Sequence, residues 1–199
     1  AVATDGHRLA MTKQTLPSGA AQMPSIILPR KAVGELRKLL DDYDGDVTMS
    51  MSETRAEFSF GAVRLTTKLI DGTFPDYTRV IPTNNDKIMQ VDVGAFSAAV
   101  DRVSTISSEK SKSVKIGLRE GVMTLSASNT DASSATEELE VSYGGNEMEI
   151  GFNARYLLDI AGQVNSELVE FALADQGSPT LVRTPGDDAS LFVLMPMRV

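Results

Sequence analysis

The sequence predicts an α+β fold assembled from a repeated strand–helix–three-strand unit. Three observations predict it. Amphipathic helical patterning is confined to three short segments, their apolar stripes share one register, and each segment is followed by three runs of strand character. The first helix is PRKAVGELRKLLDD (residues 29–42), with the stripe Val33, Leu36, Leu39 and Leu40. Pro29, with its fixed φ and missing N–H, suits a helix start. The second is DVGAFSAAVDRV (92–103), with Asp92 as N-cap and the stripe Val93, Phe96, Ala99 and Val100. The third is NARYLLDIAGQV (153–164), with Asn153 as N-cap and the stripe Ala154, Leu157, Ile160 and Ala161. Val33, Val93 and Ala154 open the stripes, 60 and 61 residues apart.

The strand runs follow in order. They are DVTMSMS, RAEFSF and AVRLTTKLI, then SVKIGL, GVMTLSAS and ATEELEVSY, then LVEFALA, PTLVRT and ASLFVLM. Alternation is plain at Phe58 and Phe60, and REG and DDA mark turns. The opening AVATDGHRLAMTK resembles AVRLTTKLI and reads as the last strand of a unit that begins outside the chain. DGTFPDYTRVIPTNND (71–86), rich in Pro, Asn and Asp, reads as a linker. Two units make a domain of roughly 120 residues. The expected division is therefore 1–80, the later half of one domain, and 81–199, a complete one.

Composition narrows the function. The chain has 199 residues, 42% hydrophobic and 23% charged, a globular balance. No apolar run is long enough to span a bilayer, so a soluble, cytoplasmic protein is expected. There is no Cys and one His, which removes disulfides and thiolate zinc sites and makes any metal or cofactor site unexpected. The single His7 lies in ATDGHRLA beside Asp5 and Arg8. Such a block suits a general base, and equally a strand-end turn with Gly6 at the tight position. A hydrolase using Asp5 and His7 would need a nucleophile motif or a phosphate loop, and neither is visible. The net charge of −8 argues against nucleic acid on charge alone. Yet Arg30, Lys31, Arg37 and Lys38 gather on the polar face of the first helix, Arg102 and Arg155 lie on those of the others, and Lys110, Lys112 and Lys115 follow the second. Such a face is commonly no more than solvated, but its segregation on an acidic chain favours contact with phosphate irrespective of base sequence.

Four blocks, ATDGHRLA, LPRKAVGELRKLL, DGTFPDYTRVIP and the terminal VLMPMRV, in this order resemble the bacterial sliding clamps, the β subunit of DNA polymerase III, over the whole chain. The resemblance implies the DNA-clamp fold, with antiparallel sheets outside and helices inside, and the later middle domain plus the whole third domain of a subunit. It implies no catalysis. Its function would be to encircle double-stranded DNA as a homodimer of full-length chains. It would tether the polymerase III catalytic subunit, the clamp loader, other polymerases and repair proteins through short peptides with Leu and Phe anchors.

By matching blocks, the implied peptide pocket comprises Thr4, Gly6, His7, Arg8 and Leu9, then Pro75, Arg79 and Val80, then Val193, Met195, Pro196, Met197 and Arg198. Leu9, Val80, Val193, Met195 and Met197 would form an adaptable apolar floor, Arg8, Arg79 and Arg198 a rim, and His7 a wall. The implied DNA-facing residues are Arg30, Lys31, Arg37, Lys38, Arg102 and Arg155. The implied dimer interface holds Thr105 and Ile106 with Glu137, Glu138 and Glu140. Without a first domain, this stretch of chain by itself is expected to be mainly monomeric.

Overall fold

The computed structural model describes residues 1–107, 112–129 and 133–198. The chain opens with a hairpin, β1 (Val2–Thr4) and β2 (Arg8–Thr12), where one strand was expected. Gly6 at φ 85° supplies the left-handed turn that splits it. Then follow α1 (Arg30–Leu40), β3 (Thr48–Met51), β4 (Arg55–Phe60) and β5 (Val63–Lys68). Next come β6 (Lys87–Asp92), α2 (Val93–Ser104), β7 (Ser113–Arg119), β8 (Val122–Ser128), β9 (Ser134–Glu140) and β10 (Ser142–Tyr143). The chain closes with β11 (Met148–Asn153), α3 (Ala154–Ala161), β12 (Leu168–Leu173), β13 (Thr180–Arg183) and β14 (Ser190–Leu194).

These elements form two units, one of Leu16–Asp76 and one of Ala1–Thr15 with Tyr77–Val199. In the smaller unit β3, β4 and β5 make an antiparallel sheet. Its inward residues Ala56, Phe58 and Phe60 receive Leu36 and Leu40 of α1. The other half of the predicted stripe is not covered: Val33 is 49% and Leu39 43% exposed. Met49, Met51 and Leu65 lie on the same inward face of the sheet as Ala56, Phe58 and Phe60. The strand expected before α1 is not formed either, although Ile27 accepts a backbone bond from Ile70 at 3.0 Å.

The larger unit holds two complete repeats, β6–α2–β7–β8–β9 and β11–α3–β12–β13–β14. Their leading strands are exchanged. β6 pairs with β12 of the second repeat and β11 pairs with β7 of the first. The result is a seven-stranded sheet, β1-β2-β14-β13-β12-β6-β10, and a four-stranded one, β11-β7-β8-β9, with every pair antiparallel. The run ATEELEVSY thus serves both sheets, leaving one after Glu140 and joining the other at Ser142. The predicted caps hold: Asp92 accepts the Ala95 amide at 2.7 Å, and Asn153 accepts those of Arg155 and Tyr156. α2 and α3 pack together and bury Phe96, Ala99, Val100 and Val103 with Ala154, Leu157, Ile160 and Ala161 against both sheets.

A tyrosine marks the same place in both units. The Tyr43 hydroxyl donates to the Asp46 carbonyl and accepts the Gly61 amide, while Tyr143 donates to the Asn146 carbonyl at 2.6 Å. Each ring covers the second residue along, Gly45 or Gly145, and a Cβ at Gly145 would lie 2.7 Å from the Tyr143 hydroxyl. Gly145→Ala is therefore expected to destabilise the larger unit by about 1–3 kcal/mol through displacement of a ring that cannot flex aside. Gly144→Ala, with nothing near its Cβ, should stay within about 0.5 kcal/mol. Urea unfolding of the two variants checks this; equal midpoints would refute it.

Candidate functional site

The turn between β1 and β2 is built by its own side chains. Asp5 Oδ1 accepts the amides of His7 and Arg8, both at 3.0 Å. Thr4 Oγ1 accepts the Gly6 amide and donates to the Arg8 carbonyl. Asp5 thus bonds the His7 backbone, which is the turn reading of this block and not the catalytic one. Arg8 is held twice, by Nε to Asp5 Oδ2 at 3.0 Å and by Nη1 to Asp159 Oδ2 of α3 at 2.6 Å. Its guanidinium carbon stands 4.3 Å from the Tyr156 ring centroid, a cation–π contact. The His7 ring lies against the same tyrosine, centroids 6.4 Å apart.

β2 pairs with β14 so that Leu9 lies opposite Val193 and Arg8 opposite Leu194. The alignment continues one residue on, where Met195 donates to the His7 carbonyl at 2.9 Å. A short 3₁₀ turn at Tyr77–Arg79 then delivers Val80. Thr4, Gly6, Arg8, Leu9, Val80, Val193 and Met195 together line an open cleft of about 70 Å³. Small-molecule and cofactor sites run to roughly 300–1,000 Å³. A cleft this small, with an apolar floor and one fixed cation, is suited to single side chains of an extended peptide. Among the described residues no three His, Asp or Glu side chains gather as a metal cluster.

Seven of the thirteen residues assigned to the pocket from the sequence line this cleft. His7, Arg79 and Arg198 are exposed outside it, and Pro196 and Met197 are half-buried beyond β14. Met197 turns to Gly151, whose carbonyl accepts its amide at 2.8 Å. Pro75 belongs to the smaller unit.

Of the basic residues, Arg30, Lys31, Arg37 and Lys38 are all exposed on α1, and Lys38 contacts Glu35 at 3.3 Å. Arg155 is exposed on α3. Arg102 and Glu137, assigned from the sequence to different surfaces, form an ion pair with each other. Their hydrogen bond holds the Glu137 carboxyl below and the Arg102 guanidinium above the usual range. Glu138 pairs with Arg119 at 3.2 Å and Lys115 with Glu149 at 3.0 Å, while Glu140 is exposed on β9. Thr105 and Ile106 follow α2, and Thr105 donates to the Asp101 carbonyl. Lys112 is exposed; Lys110 lies outside the described residues.

The family model for the DNA polymerase III beta subunit central domain matches residues 1–76, and that for its C-terminal domain matches residues 78–198. The chain belongs to the DNA polymerase III beta subunit family. It is 51% identical over 199 residues to a beta sliding clamp of Caulobacter vibrioides, covering 100% of this chain and 54% of that protein. It is 39% identical over 198 residues to the clamp of Pseudomonas aeruginosa, again 54% of its length. A DnaN sliding clamp of Bartonella birtlesii, solved bound to griselimycin, superimposes with a TM-score of 0.96 at 52% identity, over 100% of this chain and 54% of that one. The chain thus spans about half the length of these beta clamps. No helix among the described residues is long and apolar enough to cross a membrane.

Sequence reasoning missed Tyr156 and Asp159. They stand three residues apart on α3, so they share its polar face. That spacing was visible; its meeting with Arg8, 151 positions away, was not.

Acid should loosen the turn. Burial raises the Asp5 carboxyl, but bonds from the His7 amide and from Arg8 outweigh it, and the net value lies below the usual carboxylate range. A carboxyl lowered by folding stabilises above its unfolded value near 3.9, and that contribution is lost as pH falls through the native value. Asp5→Asn is therefore expected to lower stability at pH 7 by about 0.5–1 kcal/mol, a modest effect for a partly exposed, screened group. The gap from the parent should shrink below about pH 4. Urea unfolding at pH 7 and pH 3 measures this; a gap that widened in acid would contradict it.

Proposed function

We propose that this chain is the peptide-binding and DNA-facing part of a processivity clamp. The clamp encircles duplex DNA in the cytoplasm and tethers the replicative polymerase and other DNA-processing proteins to it, with no catalysis of its own. One observation carries the reading: membership of the beta subunit family over the whole chain, with a small apolar cleft at the family's matching blocks. The griselimycin-bound Bartonella clamp, a protein of this fold, supports it. The domain reading, with 1–80 from the middle domain and 81–199 as the third, is part of the proposal.

In the cleft, Leu and Phe side chains of a partner's short peptide dock on Leu9, Val80, Val193 and Met195, while Met197, Pro196, Arg198, Arg79 and His7 extend the surface for flanking residues. Each buried anchor contributes about 1.5–3 kcal/mol, so a few anchors give micromolar affinity after association costs. Val80 is 41% exposed, so shortening it leaves the core intact. Val80→Ala and Met195→Ala are each expected to weaken a fluorescent Leu/Phe peptide by about tenfold. Anisotropy titration is the test, and unchanged affinity in both folded variants would rule the cleft out.

The exposed cations of α1 and, in the larger unit, Arg155 meet phosphates without reading sequence, and Arg102 does so by exchanging its Glu137 partner for a phosphate. In the full-length clamp, neutralising Arg37 and Lys38 together should reduce the salt slope of DNA binding by up to about two units, equally for all sequences. An unchanged slope would make this face a solvated surface only. Ring closure is assigned to the edge of β9, the outer strand of the four-stranded sheet, with Glu137, Glu138 and Glu140, together with Thr105 and Ile106 after α2.

A further inference from the structure

We propose that Asp159 is a positioning residue of the cleft, holding the Arg8 guanidinium over Tyr156 so that Arg8 stands as a preformed wall before any peptide arrives. This rests on the peptide-binding reading of the cleft. An arginine at a cleft rim is by default a mobile side chain, and binding must then freeze it. Here it is tethered from two independent parts of the chain. Asp5 takes Nε from within the hairpin, and Asp159 takes Nη1 from α3 at 2.6 Å. Tyr156 lies beneath, 4.3 Å from the guanidinium carbon, on the same helix face one turn earlier. That turn is itself fixed, because Asn153 Oδ1 accepts the amides of Arg155 and Tyr156.

Without Asp159, Arg8 keeps its local tether but loses the one that binds it to the helix. The consequence falls on orientation more than on stability. The Asp159 side chain is 48% exposed, and ion pairs this exposed add little to folding. The two carboxylates also match the arginine's charge and raise its pKa against the opposing effect of burial. Arg8 therefore serves the cleft through its alkyl stem and its fixed place more than as a free cation.

The test is a double-mutant cycle on the 199-residue chain, read by anisotropy with a fluorescent short peptide carrying Leu and Phe anchors. Asp159→Asn is expected to weaken binding about threefold to tenfold, the range for freezing one long side chain on binding. Asp159→Glu should restore affinity to within about twofold, and Arg8→Ala combined with Asp159→Asn should bind no worse than Arg8→Ala alone. In the NMR spectrum the Arg8 side-chain protons should lie upfield in the parent, over the Tyr156 ring, and move toward random-coil positions in Asp159→Asn. Unchanged affinity in that variant, or losses that add fully in the double variant, would overturn the inference while leaving the cleft reading intact. A folded parent chain that binds no peptide would overturn the cleft reading, and the inference with it.

Discussion

The pairing of β2 with β14 is the interaction on which the rest of the site depends. It joins residues 8–12 to residues 190–194, almost the two ends of the chain. Without it Thr4, Gly6 and Arg8 would have no fixed relation to Val193 and Met195, and there would be no cleft. Its register is enforced from one face. Leu9, Met11 and Val193 form a small core of their own, flanked by Tyr77, Ile81, Leu181 and Leu191. A slip by one residue would turn Leu9 and Met11 to solvent, at about 1.5–3 kcal/mol for each apolar side chain. The pairing also covers an edge of β14 that would otherwise stand open, leaving as the outer strand only the three residues of β1.

The remainder of the larger unit is made indivisible by the exchange of leading strands. Because β6 belongs to the second repeat's sheet and β11 to the first's, neither repeat completes a sheet alone, and α2 and α3 are drawn together over one core. The smaller unit holds one such helix and one three-stranded sheet. Its helix starts after Pro29 as expected, its three strands pair, and Leu36 and Leu40 are covered. Residues 23–29 before the helix carry no strand, and Val33 and Leu39 are exposed.

Much of this was legible in the sequence because it rests on local chemistry. The caps Asp92 and Asn153, the stripes of α2 and α3 and the nine strand runs after the helices depend on residues a few positions apart. What was not legible rests on distant meetings. Nothing local says that Val141 is where the chain changes sheets, that the opening strand is a hairpin, or that Arg102 reaches Glu137 on a strand 35 positions later. The cleft lay between these cases. Its blocks were recognisable, and seven of their residues line it, but Tyr156 and Asp159 came from a helix read for its cap, its apolar stripe and Arg155.

Pairing also separates the cations that the sequence grouped together. Arg8, Arg102, Arg119 and Lys115 each face a carboxylate, so their charge is matched within a few ångströms and is weak at a distance. On α1 four cations stand against one carboxylate, Glu35, and Arg30, Lys31 and Arg37 have no ion-pair partner among the described residues. The four cations of α1 thus set up a local positive field on a chain of net charge −8. A field of that kind, carried by flexible exposed side chains with no aromatic platform among them, attracts a phosphate backbone without holding it at any one position. Arg8 at the cleft is the contrasting case, a cation whose charge is matched and whose place is fixed by Asp5 and Asp159.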